Sequence, residues 1–172
     1  MKKITALLLV AVMVLASVSA LAAGSPTPYG IGTSVYVPMT PAEPTVGIVD
    51  LGPTGTAYQT AVGNDENPYT DETKGQLDEL FPDGYKTYDI VGLDLSKVID
   101  GEDREIELEF ATEYLAGTPV AAVLVIVNGE SVAEYVLKAE VKEDYVVTVT
   151  FPADVLAAAE AASETFLAIV AK

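Results

Sequence analysis

The chain reads as mainly β: an antiparallel β-sandwich with one or two short helices. Three observations predict it. Arg104-Glu105-Ile106-Glu107-Leu108-Glu109-Phe110 alternates charged and apolar side chains without a break, the period of a strand with one face in a core and one in water. Residues 120–127 and 131–137 flank Asn128-Gly129, a pair that accepts positive φ and so suits the type I′ turn of a hairpin. Short apolar segments punctuated by turn residues then recur along residues 85–151.

Before the first strand the chain has an export signature. Lys2 and Lys3 precede an apolar run over residues 4–18, and Ala20-Leu21-Ala22 offers a cleavage site, so residues 1–22 are expected to be a signal peptide. Residues 23–45 contain Pro26, Pro28, Pro38, Pro41 and Pro44, too many fixed φ angles and missing donors for a regular element. Only residues 33–37 suit a short strand there. A single sandwich domain is expected over 46–172, with its pattern sharpest over 85–172.

Within that domain, residues 46–51 form a compact apolar run, and 56–62, with Tyr58 at the centre, read as strand-like. Residues 64–83 are acidic and turn-rich. A short helix over 73–80 puts Leu77, Leu80 and Phe81 on one side before Pro82 and Gly84 stop it. Residues 88–93 and 104–110 are strands, separated by a helical turn over 95–99 and by Asp100-Gly101. On the second strand Ile106, Leu108 and Phe110 should face the core and Glu105, Glu107 and Glu109 water. Residues 120–127 are apolar at every position, which predicts a central strand covered on both faces, or one whose outer face meets another layer. The hairpin's return arm continues to Lys142, turns at Glu143-Asp144, and leads into a strand over 145–151. Pro152-Ala153-Asp154 opens a helix through the alanine-rich run. Residues 166–170 suit either a continuation of that helix or a last buried strand, and the regular strand spacing favours the strand.

Composition narrows the chemistry. The 172 residues include no His and no Cys, which excludes His-dependent triads, thiolate nucleophiles, the usual N/S zinc sites and cysteine-held clusters. Loss of residues 1–22 removes Lys2 and Lys3 but no acid, leaving seven of the nine basic residues against all 26 acids, a net charge of −19. Nucleic acids and anionic membranes are poor partners for such a surface, and no second apolar run is long enough to span a bilayer. Phosphate-binding glycine loops and the common serine-nucleophile motifs are absent.

Two groups of residues invite a function. Asp65, Glu66, Asp71 and Glu72 crowd a loop-like stretch of the kind that supplies oxygen ligands to calcium, although the spacing is not that of an EF-hand. No other cofactor is expected. Six of the nine tyrosines lie before residue 90, and Tyr29, Tyr36, Tyr58 and Tyr69 are candidates for contact with a protein or glycan partner.

The Asn128-Gly129 hairpin, Tyr135-Val136-Leu137-Lys138-Ala139-Glu140-Val141, the stretch from Val147-Thr148-Val149-Thr150-Phe151 to Leu156, and 166–170 form one pattern. On these residues the span 88–171 resembles the small immunoglobulin-like β-sandwich modules of exported proteins from Gram-positive gut bacteria. The Cys, Trp, Cys framework of antibody domains is missing. The resemblance implies a spacer, adhesive or binding role and transfers no functional residue. The expected function is that of a secreted, non-catalytic structural or binding module at the cell surface with an extracellular protein or glycan partner. The alternative is a small secreted carboxylate-dependent hydrolase or enzyme inhibitor.

Overall fold

A computed structural model describes residues 35–36 and 46–172. The signal peptide over 1–22, the rest of the proline-rich segment, Tyr29 and the side chain of Tyr36 lie outside the described residues. The architecture is mainly antiparallel β with three short helices among the described residues. Strands β1 (Val35–Tyr36), β2 (Gly47–Val49), β3 (Lys86–Asp94), β4 (Arg104–Phe110), β5 (Val120–Asn128), β6 (Ser131–Glu143), β7 (Val146–Phe151) and β8 (Glu164–Ala171) are joined by helices α1 (Pro53–Gly63), α2 (Asp71–Leu80) and α3 (Ala153–Ala158). Hydrogen bonding runs continuously in the order β1-β4-β7-β6-β5-β8-β3-β2.

The thirteen-residue β6 makes one curled sheet out of two halves. Its first part, Ser131 to Lys138, pairs with β5, and its second, Ala139 to Glu143, pairs with β7 across a register shift. The sheet therefore closes over its own inner face. Ile106, Leu108 and Phe110 of β4 and Val147, Val149 and Phe151 of β7 share a core with Leu124, Leu137, Leu167 and Ile169 from the other half. A second core lies on the opposite side of β5 and β8, where Val123, Val125, Phe166 and Val170 meet Tyr69, Leu77 and Phe81 from α2 and its flanks. This explains why β5 is apolar throughout: its alternate residues enter different cores.

Several expectations change. Residues 56–62 are helix, not strand. Pro53 occupies the first turn of α1, where its missing N–H costs nothing, and Tyr58 and Val62, four residues apart, pack together on the second core. In so short a segment the apolar spacing fits either period. The Asn128-Gly129 hairpin exists, but Asn128 pairs with Ser131, so Gly129 and Glu130 form the loop. Gly129 has φ +62° and Glu130 is not at positive φ, so the first central position alone needs glycine's freedom, unlike a type I′ turn. Tyr145 belongs to the turn, at φ 70°, and β7 begins at Val146. The C-terminal residues form the last strand, and β8 lies in the middle of the sheet between β5 and β3.

Two local devices shape β3. A register shift between Thr87 and Asp89 accommodates Tyr88 as an extra residue. Thr87 and Asp89, which would share a face in a regular strand, consequently serve opposite cores. Thr87 meets Tyr69 at 2.8 Å on the helix side, and Asp89 meets Thr112 and Tyr114 on the other. At Gly92 the backbone of β2 comes so close that an added Cβ would stand 2.4 Å from the Val49 carbonyl oxygen. Gly92→Ala should displace β2 at a cost of about 2 kcal/mol, seen as a lower melting temperature and faster amide exchange over residues 47–49. Unchanged exchange there would show that the strand shifts without cost.

Candidate functional site

Where the α1 entrance, the start of the β3–β4 connection, the β5–β6 hairpin tip and the α3–β8 connection meet, they enclose an open groove of about 590 Å³. Leu93, Leu95, Ile99 and Val127 contribute apolar lining, and Asp50, Asp94, Glu160 and Glu164 contribute carboxylates. Asp50, Asp94 and Glu160 are exposed. Hydrogen bonding from Ser96, whose backbone N–H donates to Asp94 at 2.9 Å, holds the Asp94 carboxyl below the usual range. Glu164 is committed: it accepts from the backbone N–H groups of Thr54 at 3.1 Å and Gly55 at 2.6 Å. These are open donors of the first turn of α1, whose N-cap Gly52 has no side chain to serve them. Gly52 and Gly55 leave room for the carboxylate, since a Cβ on either would fall within 3 Å of it. Thr165 donates to the Leu93 carbonyl, and Ser163 to that of Val127 at 3.0 Å, which fixes that wall.

Two further carboxylates fasten the layers together. Glu134 of β6 accepts from the Tyr58 hydroxyl of α1 and from the N–H and hydroxyl of Thr70, the N-cap of α2, at 2.9 and 2.8 Å. Burial pushes its carboxyl up, but the bonds from Tyr58, Thr73 and Thr70 outweigh it and hold the group below the ordinary glutamate range. A depressed folded-state pKa contributes stability above the unfolded value, and that stability is lost as pH falls through the folded one. Glu134→Gln should cost about 1 kcal/mol at neutral pH and flatten the acid limb of stability below about pH 4.5. Parallel acid limbs in urea unfolding would show that the ionised form adds nothing. Asp89 is the second fastening. Only 1 % exposed, it accepts from Tyr114 and, at 3.0 Å, from Thr112, anchoring the segment after β4 to β3. Burial and the neighbouring Asp89 carboxylate push the Tyr114 phenol well above the usual tyrosine range.

The residues singled out from sequence fare differently. Tyr69 is 2 % exposed with its hydroxyl on Thr87, and Tyr58 is half-buried edge-on to Phe166, so both are structural and neither offers a free recognition face. Asp65 and Glu66 line a smaller hollow of about 310 Å³ beside Tyr85 and Lys86, whereas Asp71 and Glu72 sit in the first turn of α2, with Lys74 3.7 Å from Asp71. Among the described residues no three acidic side chains gather to hold a metal ion, so the proposed calcium quartet is not brought together. Glu134 had a readable signal, a charge on the same face of its strand as Val132 and Val136. Asp89 had one too, a charge within a buried apolar strand. Glu164 had none, because its partners lie 109 and 110 residues away.

No family model, no curated protein and no solved structure matches this chain.

Proposed function

We propose that the chain is an exported, non-catalytic structural or binding module of the cell surface that takes a protein or glycan partner at the groove beside α1. The observation that carries this reading is the groove itself: an open concavity with an apolar lining and exposed carboxylates. Its volume falls within the range usual for ligand sites. The buried or half-buried carboxylates Asp89, Glu134 and Glu164 are engaged by hydroxyl or N–H donors that tie layers together. A protein surface carrying basic residues suits the exposed carboxylates better than a sugar does, since neither Tyr58 nor Tyr69 lines the groove. The resemblance to immunoglobulin-like modules of exported proteins belongs to the same proposal.

The test is charge reversal at the groove. Asp94→Lys combined with Glu160→Lys should leave the fold intact by circular dichroism and reduce partner capture from cell-envelope extract at least ten-fold, with salt weakening wild-type capture. Turnover in a hydrolase panel that one Asp or Glu substitution abolishes would replace this reading with an enzymatic one.

A further inference from the structure

The outer face of β4, β7 and β6 carries a polar assembly separate from the groove. Val147 and Val149 are fully buried in the core between the sheet halves, so Thr148 between them lies on the opposite face. Register places it directly between Glu107 of β4 and Glu140 of β6. Cross-strand neighbours stand about 5 Å apart at Cβ, so a glutamate on each side can fold over the shorter threonine. Thr148 keeps 3 % of its surface exposed, and its hydroxyl has no hydrogen-bond partner. A buried hydroxyl without a partner is costly, and an ion or water beside it is one of the few arrangements that removes the cost. Among the described residues Glu107 has no ion pair, while Glu140 lies 3.1 Å from the Lys142 ammonium, which also reaches Glu105 at 3.6 Å.

We propose that Glu107, Thr148 and Glu140 form a binding site for a hard divalent cation of the calcium class. Each flanking strand supplies a carboxylate, the central strand supplies the hydroxyl oxygen, and water completes the shell. Lys142 is the internal competitor, because its ammonium already neutralises Glu140. Three protein oxygens, of which only the two glutamates' reach solvent, place the site in the weak range of extracellular calcium modules, on the order of 10⁻⁴ to 10⁻³ M. The strongly negative chain raises the local cation concentration around it.

Calorimetric titration with calcium chloride at constant ionic strength tests the assignment, with circular dichroism checking each variant's fold. Wild type should show saturable binding in that range. Thr148→Val, which keeps the shape and removes the oxygen, should weaken it about five-fold or more, and Thr148→Ser should retain it. Glu107→Gln should weaken it comparably, Lys142→Ala should tighten it several-fold, and Asp65→Asn should leave it unchanged. No saturable binding by wild type, wild-type affinity in Thr148→Val or Glu107→Gln, or loss of binding in Asp65→Asn would each overturn the proposal. Glu107 is exposed, so Glu107→Gln decides the matter should Thr148→Val fail to fold.

Discussion

Leu108→Asp should unfold the protein or cost about 4 kcal/mol or more, while Glu107→Lys, one residue away, should change stability by about 0.5 kcal/mol or less. Leu108 is fully buried among the inner side chains of both sheet halves, so an aspartate there would bring an unpaired charge to the place the curled sheet closes around. Glu107 points outward and is exposed, and most surface changes of that kind are close to neutral. Urea unfolding of both variants measures the contrast. Comparable losses in the two would mean that the faces of β4 are assigned the wrong way round.

Asp89→Ala should be the next most damaging, at about 2 to 4 kcal/mol. Removing this carboxylate leaves the hydroxyls of Tyr114 and Thr112, 3 % and 5 % exposed, without the acceptor they share. The segment between β4 and β5 then loses its anchor to β3, so amide exchange should rise over residues 111–118 before it rises in β5. Asp89→Asn, which retains one acceptor oxygen, should lose roughly half as much. A loss below about 1 kcal/mol in Asp89→Ala, with exchange unchanged, would show that other groups satisfy these hydroxyls and that the cluster does not hold the segment.

The strands were legible where one residue's environment repeats along an element. β4 alternates because one of its faces meets water, and β5 does not alternate because cores lie on both sides of it; each pattern is a direct imprint of burial on composition. The candidate site was far less legible. The groove is assembled from four segments spread between Val49 and Thr165, and the carboxylate that completes the first turn of α1 comes from the start of the last strand. Tyr58 and Tyr69 illustrate the same gap. A tyrosine in a polar stretch suggests a surface contact, yet Tyr69 is buried with its hydroxyl on Thr87, and Tyr58, on α1 itself, is half-buried with its hydroxyl on Glu134.

By itself the sequence determined the mainly antiparallel β class, the inward and outward faces of β4, the central place of β5 and the exclusion of His- and Cys-based chemistry. These follow from local periodicity and composition, which one chain carries in full. Only the tertiary structure decided that residues 56–62 are helix, that β6 serves both halves of one curled sheet, and that Asp89, Glu134 and Glu164 fasten its layers. The physical reason is that a buried polar group must find its partner wherever the fold brings one. That partner is set by distance in space, and distance along the chain does not record it.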